Sequence, residues 1–376
     1  MNVLKNKTMD KETFVQMEIS YKAALHNYKY FRSKLKPSTK LLILIKANSY
    51  GHGAVDFAKL MTKAGADYFA VAHPVEGIEL RNGGIKKPIL VLTTGTDYYK
   101  EMIQNNLEPG IPNLESLKKF DTVVNSMKVK SYPVHIKLDT GMHRLGFMES
   151  ELPALLKFLK AHKEIKVKSI YSHLAASDEP KWDKFTLGQI ALYDTMAPQI
   201  DKAIGYKPIH HILNSAGIER FSKYQKDMVR LGIGIYGISA VNQKYVKPVA
   251  SLKCKILQIK HLVPADGTVG YGRHGKIDKP IVTATLPVGY ADGINRHFGR
   301  GNAKFMLKGN MVPTIGNICM DMCMIDITGV KNAKVGDIVT IFGEKPTAQD
   351  LAKILDTIPY EIFTSIAKRI KRVVVK

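Results

Sequence analysis

The chain has 376 residues, of which 45% are hydrophobic and 24% are charged. This length predicts roughly two domains, and the composition excludes a mainly disordered, collagen-like or low-complexity chain. With 56 Lys and Arg against 33 Asp and Glu the net charge is +23, which suggests a nucleic-acid or membrane partner.

The sequence supports neither partner. No recognisable nucleic-acid-binding motif or aromatic-interleaved basic patch occurs. The amino terminus carries charges every few residues, unlike a secretory signal, and no apolar run approaches the roughly 18 residues of a spanning helix. The three cysteines, Cys254, Cys319 and Cys323, are an odd number without paired spacing, which argues against a disulfide framework. These features predict a cytoplasmic protein without a nucleic-acid or membrane partner.

Eight short apolar strings recur between about residue 40 and residue 236, and such strings predict buried parallel strands. In chain order they are LLILIK, DYFAVA, PILVLT, LEPGI, YPVHIK, VKSIYS, PIHHIL and DMVRL. Stretches with helical spacing lie between them, such as GAVDFAKLMTKAG and ESELPALLKFLKAH. Eight alternations favour a closed (β/α)8 TIM-type barrel over an open doubly wound sheet, which usually has about six strands.

After Tyr236 the strings alternate and become rich in Thr and Val, as in IVTATLPVGY and GDIVTIFG, which predicts mainly antiparallel β-structure. Helices are expected only at LAKILDTI and after Tyr360. We therefore predict an α/β fold with a loose segment at 1–11, a cofactor-binding barrel domain at 12–242 and a carboxyl-terminal β domain at 243–376.

Lys46 ends the first barrel string and is followed by the Gly-rich turn ANSYGHG. In a barrel the carboxyl ends of the strands form the active face. A lysine leaving an apolar strand is partly desolvated, which lowers its pKa and suits a Schiff-base amine. The alternative is a surface lysine whose stem packs on the strand end.

Polar residues also follow later strands, namely His173, Asn214, Ser215 and Arg230. Barrels commonly hold a phosphate after strands seven and eight, where Ser215 and Gly232 are placed. A tight turn would explain Gly232 equally, and a satisfied polar residue would explain His173. Cys319 and Cys323 lack a matching Cys or His pair, so no metal is expected. His210 and His211 are expected to be strand and rim residues without a ligand role.

Lys46–Gly53, KANSYGHG, is similar to the cofactor-lysine signature of alanine racemases, pyridoxal phosphate enzymes with a barrel followed by a β domain. Further similar motifs follow in order: HIKLDTGMHRLGF, YSHLAASDE, LNSAG, MVRLGIGIYG, TVGYGRHG, LPVGYADG and NICMDMCMID. The resemblance covers nearly the whole chain from about residue 12. The ending differs, because Thr364 stands where the family commonly has cysteine and RIKR replaces an RVPR-like motif.

The resemblance implies that Lys46 holds pyridoxal phosphate as a Schiff base and serves as one catalytic base, with Tyr271 as the other. Racemisation needs two groups that flank the reacting carbon. His173, hydrogen-bonded to Arg230, would help Tyr271 to ionise. Arg230 would face the pyridine nitrogen and, as a permanent donor, keep it unprotonated, which favours racemisation over transamination.

The resemblance also implies the remaining ligands. Cofactor-binding residues would be Tyr50, Asn214, Ser215, Gly232, Ile233 and Tyr360. Arg144 and the backbone N–H of Met320 would bind the substrate carboxylate, with Cys319 and Asp321 beside them. A carbamylated Lys137 would orient Arg144, and Tyr290 would line the channel to the site.

The expected function is interconversion of L-alanine and D-alanine, with D-alanine supplied to peptidoglycan. Tyr271 and Met320 would come from the partner subunit of a head-to-tail homodimer with shared active sites. The alternative is a serine or broad-specificity racemase of the same fold. A decarboxylase of this cofactor class is disfavoured, because Arg230 stands in place of its acidic pyridine partner. A noncatalytic cofactor-binding barrel would lack the second domain.

Overall fold

A computed structural model of the chain describes Met9 and residues 13–375. The predicted loose segment 1–11 lies outside the described residues except for Met9, which is buried. The chain divides into two compact units. The barrel unit comprises Leu25–Ser49 and Ala54–Val246. The sheet unit comprises the described residues up to Ala24, Tyr50–Gly53 and the chain from Lys247 onward.

The first strand, β1 (Val15–Ser20), lies in the sheet unit, although it is at the amino-terminal end of the chain. It pairs with two strands of that unit, antiparallel to one and parallel to the other. The predicted barrel domain at 12–242 includes these residues. The assignment of β1 to the sheet unit depends on its pairing partners, which are distant in the sequence. The limits 12–242 and 243–376 stay a prediction.

The barrel unit contains eight parallel strands, in the spatial order β8-β7-β6-β5-β4-β3-β2-β9. Their bounds are β2 (Lys40–Leu44), β3 (Tyr68–Val71), β4 (Ile89–Val91), β5 (Glu108–Ile111), β6 (Tyr132–Lys137), β7 (Ile165–Tyr171), β8 (Ile209–His211) and β9 (Met228–Leu231). The backbone N–H of Arg230 donates to the carbonyl of Leu213 at 3.0 Å, which brings the two ends of the sheet together. The predicted fold class is confirmed, and each strand overlaps one of the eight apolar strings, although β2 and β7 begin one and two residues before theirs.

Helices follow the strands, as their spacing predicts. They are α1 (Tyr21–Ser33), α2 (Ala54–Ala64), α3 (Pro74–Asn82), α4 (Tyr99–Gln104), α5 (Leu114–Ser126), α6 (Leu152–Ala161), α7 (Asp183–Ile204) and α8 (Ser215–Arg220). Asn113 and Asn214 cap α5 and α8, each accepting a hydrogen bond from a backbone N–H of the first turn. Apolar residues at helical spacing, as in α2, form the buried face.

The described part of the sheet unit contains a nine-stranded sheet. Its strands are β1, β10 (Ala250–Lys255), β11 (Gln258–Leu262), β14 (Ile281–Leu286), β15 (Lys304–Leu307), β16 (Asn310–Ile315), β17 (Cys323–Asp326), β18 (Ile338–Phe342) and β19 (Lys371–Val375). Their spatial order is β11-β14-β17-β16-β15-β18-β10-β1-β19. A separate ribbon pairs β12 (Thr268–Val269) with β13 (Gly275–Lys276). Helices α9 (Ala348–Ile354) and α10 (Pro359–Thr364) lie close to where the sequence predicts them.

Gly51 is a position in the sheet unit where only glycine should fit, because of both its backbone conformation and a close neighbour. Its φ is +80°, and a Cβ there would lie 2.1 Å from the carbonyl oxygen of Phe363. Gly309 has a similar φ of +81°, but a Cβ added to Gly309 would have no atom within 4 Å. Gly309→Ala should therefore cost only the left-handed strain, about 1 kcal/mol. Gly51→Ala should cost at least about 3 kcal/mol, because the backbone must also move.

The measurement is urea unfolding followed by circular dichroism, with Gly309→Ala as the matched control. Equal losses of unfolding free energy in the two variants would show that the contact with Phe363 does not constrain Gly51.

Candidate active site

Lys46 lies two residues beyond the end of β2 and begins an unusual turn. Ala47, Asn48 and Ser49 have φ of 51°, 53° and 58°, so the turn is left-handed. Such a conformation costs a non-glycine residue roughly 1–2 kcal/mol, so several in succession need compensating contacts.

Three side-chain hydrogen bonds supply that compensation. The carboxylate of Glu76 accepts the N–H of Ala47 at 2.6 Å. Asn48 Oδ1 accepts the N–H of Ala54 at 2.9 Å, and the Ser49 hydroxyl lies 2.8 Å from that of Tyr236. Glu76 also accepts the N–H groups of Ala72 and His73, and no sequence pattern marks it as a residue of the site. The turn fixes the direction in which the chain leaves Lys46.

Lys46 is half-buried, and Arg144 is a positive charge that acts on its amine. Burial lowers its pKa, Arg144 lowers it further, and Glu76 opposes the shift. A lowered pKa increases the fraction of neutral amine, the form that attacks a carbonyl. The predicted Schiff-base chemistry therefore has a suitable amine.

Arg230, on β9, is almost wholly buried and is the centre of a hydrogen-bond network. Its Nη1 donates to Nδ1 and the carbonyl of His211 at 2.9 and 3.2 Å. Its Nη2 donates to the carbonyls of Ser172 and Ile212 at 2.5 and 3.0 Å and to Nδ1 of His173 at 3.2 Å. Burial lowers the pKa of Arg230 to about 10, so the guanidinium stays charged at neutral pH. The predicted contact with His173 is present.

His173 is held as a neutral ring. Burial, followed by the positive charges of Arg230, Lys137, Arg144 and Lys46, lowers its pKa well below the ordinary histidine value. Because Arg230 can only donate, the Nδ1 of His173 must accept and its proton must lie on Nε2. His173 therefore presents an N–H donor on its other side.

Lys137 is the last residue of β6 and is buried. Burial lowers its pKa to about 8, Arg144 and Arg230 contribute in the same direction, and Asp139 opposes them. The loop that carries Arg144 is closed at its base, where the N–H of Phe147 donates to the Lys137 carbonyl at 2.8 Å. Arg144 itself is exposed. A lysine with this pKa has a substantial neutral fraction near pH 8, which a carbamate requires.

Ser215, Gly232 and Ile233 come together at the ends of β8 and β9. The Ser215 hydroxyl oxygen accepts the N–H groups of Gly232 at 2.9 Å and Gly234 at 3.2 Å. In this structure the Gly232 N–H is thus paired with Ser215. Asn214 Oδ1 accepts from Gly217 N–H and the Ser177 hydroxyl, so its side chain is used to hold the start of α8.

Two predicted cofactor residues, Tyr50 and Tyr360, meet in the sheet unit. Their ring centroids are 5.8 Å apart with the planes tilted by 51°. Burial, with a smaller contribution from Tyr360, raises the pKa of Tyr50 above the ordinary tyrosine value. Tyr50 is therefore a neutral hydroxyl that can donate a hydrogen bond.

The remaining predicted residues of the sheet unit lie on three loops: Tyr271 follows β12, Tyr290 follows β14, and residues 319–321 follow β16. The N–H of Tyr290 donates to the carbonyl of Cys319 at 3.0 Å, and the N–H of Ala291 donates to that of Met320 at 3.0 Å. Asp321 is paired with Arg369 at 2.7 Å. Tyr271 is anchored through its carbonyl, which accepts from Asn317 Nδ2 at 2.7 Å, while its side chain is 73% exposed. Met320 and Tyr290 are also exposed.

The structure changes the interpretation of His211. The sequence predicts a strand or rim residue without a ligand role, and the structure adds that the ring is fully buried and accepts directly from Arg230. His210, by contrast, pairs with Asp201 at 3.0 Å away from that network. Neighbouring positions on a strand face opposite sides of the sheet. The alternation of side chains along β8 is therefore the sequence signal that could have distinguished His211, which faces Arg230, from His210.

Comparison with known proteins identifies the class of protein that this fold and site define. The family of alanine racemase N-terminal domains matches residues 19–240, and that of alanine racemase C-terminal domains matches residues 249–374. The chain belongs to the alanine racemase family.

Individual relatives agree over nearly their full length. Alanine racemase 2 of Caldanaerobacter subterraneus is 35% identical over 368 residues, which cover 95% of this chain and 94% of that protein. The solved structure of an alanine racemase from Clostridium difficile has a TM-score of 0.91 at 35% identity and covers 97% of this chain and 96% of that one. An alanine racemase from Bartonella henselae with covalently bound pyridoxal phosphate has a TM-score of 0.87 at 27% identity, covering 96% of this chain and 100% of that one.

Alanine racemases are pyridoxal phosphate-dependent isomerases, so family membership confirms the predicted resemblance, enzyme class and cofactor. The barrel residues fit that cofactor. Lys46 offers an amine with a lowered pKa, and Arg230 offers a permanent donor held by five acceptors. Among the residues from 13 to 375, no helix is long and apolar enough to cross a membrane.

Proposed function

We propose that this chain interconverts L-alanine and D-alanine in the cytoplasm, supplying D-alanine for peptidoglycan, with Lys46 and Tyr271 as opposed bases. The observation that carries the proposal is the lowered pKa of a half-buried Lys46 at the carboxyl end of a barrel strand. Family membership supports the substrate, because the similar proteins are named alanine racemases.

Lys46 and Tyr271 divide the proton transfer. Bound pyridoxal phosphate supplies electron withdrawal from the substrate's Cα, which makes the α-proton removable. Lys46 Nζ takes or returns the proton on one face, and the Tyr271 hydroxyl does so on the other. The direction of the reaction decides which of the two begins as the base.

His173 and Arg230 tune this exchange. The Nε2–H of His173 donates toward Tyr271 and favours its ionised form. Arg230 would face the pyridine nitrogen of the bound cofactor as a donor and would leave it unprotonated, since a guanidinium does not act as an acid near neutral pH. An unprotonated ring withdraws less charge from the substrate, which would favour rapid return of the proton.

Binding residues keep the substrate in place between the two bases. Arg144 and the Met320 N–H hold the carboxylate, and a carbamylated Lys137 orients Arg144 as a charged acceptor. The phosphate of the cofactor would be held by Tyr50, Ser215, Gly232, Ile233 and Tyr360, and Asn214 would be a further cofactor-binding residue. Cys319 and Asp321 flank the carboxylate site, and Tyr290 lines the channel that leads to it.

The active form is a head-to-tail homodimer in which Tyr271 and Met320 serve the partner's site. Tyr271, Tyr290 and Met320 are all exposed, on loops of the sheet unit that hydrogen-bond to one another, which supports this, because exposed apolar patches often mark protein–protein interfaces. A partner subunit would cover them.

Mixing a Lys46→Ala chain with a Tyr271→Phe chain tests the shared site. Each variant alone should be inactive, whereas a hybrid dimer has one site with both native bases. Random exchange of equal amounts makes half of the dimers hybrid, so about a quarter of wild-type activity should return. The assay is D-alanine formation after subunit exchange, proven by tagged chains. No recovery despite proven exchange would refute the shared site.

A panel of L-amino acids with chiral product analysis tests the substrate. Alanine should be turned over fastest, and comparable rates with L-serine would favour the broad-specificity alternative.

A further inference from the structure

A row of polar side chains crosses the interior of the barrel from Arg230. Each comes from the next strand of the sheet, from β9 to β5: Arg230, His211, Ser169, His135 and Glu108. The separations are 2.9 Å from Arg230 Nη1 to His211 Nδ1, 2.8 Å from His211 Nε2 to Ser169 Oγ, 2.5 Å from Ser169 Oγ to His135 Nδ1 and 2.7 Å from His135 Nε2 to Glu108 Oε2. The three middle residues are fully buried.

The two ends of this row fix the direction of every hydrogen bond. Arg230 can only donate, and an ionised carboxylate can only accept. Burial of Glu108 opposes ionisation, but hydrogen bonds from His135 and Tyr68 outweigh it and lower the pKa of this carboxyl. Glu108 is therefore an acceptor at neutral pH.

Between the ends, one arrangement satisfies every group. His135 donates from Nε2 to Glu108, so its Nδ1 accepts the Ser169 hydroxyl proton. The Ser169 oxygen then accepts the Nε2–H of His211, which leaves His211 Nδ1 to accept from Arg230. Each ring carries one proton in this arrangement. Burial and the positive charge of Arg230 lower the pKa of His211 well below the ordinary value, in agreement with a neutral His211 ring.

The reverse arrangement conflicts with Arg230. If His135 carried its proton on Nδ1, it could donate to Ser169, and the hydroxyl would donate to His211 Nε2. His211 would then carry its proton on Nδ1, facing an N–H of Arg230 at 2.9 Å. Two buried donors in contact lose a hydrogen bond and repel each other.

We propose that Glu108 is a positioning residue that, through His135 and Ser169, fixes the tautomer of His211 and so holds the guanidinium of Arg230 in place. The consequence for catalysis rests on the proposed function, in which Arg230 faces the cofactor. The tautomers themselves do not depend on it. The residues of the row are not adjacent in sequence, and only Arg230 belongs to the predicted site.

Neutron diffraction from the holoenzyme exchanged into D₂O locates the deuterons directly. We expect deuterons on Nε2 of both His135 and His211, none on their Nδ1 atoms, and the Ser169 deuteron pointing at His135. A deuteron on Nδ1 of either ring would overturn the proposal from the wild-type protein alone.

Three variants test the role of Glu108. Glu108→Leu removes the acceptor, so His135 should move its proton to Nδ1 and donate to Ser169. Glu108→Gln should keep the wild-type tautomers, because an amide oxygen can accept from both His135 and Tyr68. Tyr68→Phe is the matched control, since it removes the other hydrogen bond to the same carboxylate oxygen, 2.9 Å long, and keeps the charge.

The kinetic consequence is measured on the same variants. In Glu108→Leu the kcat should fall about tenfold or more with KM for alanine nearly unchanged, whereas the other two should stay within about twofold. Unchanged tautomers or unchanged kcat in a folded Glu108→Leu protein would overturn the proposal. Failure of the proposed function is distinguishable, because wild-type protein would then not racemise alanine although its tautomers could still be observed.

Discussion

Replacing Lys46 with alanine is expected to lower alanine racemisation in both directions by about 10⁴-fold or more. On the proposed function, the variant loses the amine that forms the covalent link to pyridoxal phosphate and loses one of the two proton-transferring groups. It should still fold, because Lys46 lies beyond the end of β2 and its side chain is only half-buried. The measurements are chiral analysis of alanine and absorbance of the bound cofactor.

Lys59→Ala is the matched control, because Lys59 is an exposed lysine on the neighbouring helix α2. Wild-type activity and cofactor absorbance are expected there. A Lys46→Ala protein that kept the Schiff-base absorbance band would show that another lysine carries the cofactor. Reduction with borohydride followed by peptide mapping would identify it.

Replacing Arg230 with lysine should produce the second largest effect, although the positive charge is kept. The guanidinium donates to three carbonyls and two imidazole nitrogens, and a single ammonium cannot reach all of them. Unpaired buried acceptors should lower the free energy of unfolding by about 3 kcal/mol. On the proposed function, the kcat should fall about 100-fold, because His173 and the cofactor lose a fixed donor.

Arg81→Lys is the control that distinguishes the loss of stability from the loss of kcat in Arg230→Lys. Arg81 also donates to backbone carbonyls, at 3.0 Å to Asn105 and at 2.7 Å to Ile85, Lys87 and Asn106. Its replacement should therefore lower stability without lowering kcat. Both variants are compared by urea unfolding and by steady-state kinetics. Equal losses of kcat in the two would mean that Arg230 contributes only to stability.

The arrangement around Arg230 shows how far sequence patterns reach. Apolar strings separated by helical spacing predict the eight barrel strands because burial on both faces requires continuous apolar runs. The same strings place Lys46, His173 and Arg230 near strand ends. They do not predict that Glu76 supports the turn after Lys46, because residues 47 and 76 meet only when two consecutive βα loops lie side by side.

Strand β1 illustrates a second limit. Its short sequence, VQMEIS, has no feature that distinguishes a barrel strand from a strand of the other sheet. Its partners, β10 and β19, lie more than 200 residues away along the chain. Pairing across such a separation is decided by the whole sheet, and local propensity carries no information about it.

A length suited to two domains and a charge of +23 were the first features of the sequence. The residues alone determined a barrel followed by antiparallel β-structure and membership of a pyridoxal phosphate family, and they singled out Lys46 as the candidate reactive lysine, because apolar periodicity and contiguous motifs are local. Tertiary structure alone decided which buried groups meet: Arg230 with His211 and His173, and the row that ends at Glu108. Hydrogen bonds between side chains from different strands depend on distances of a few ångströms in space, and the spacing of residues along the chain does not encode those distances.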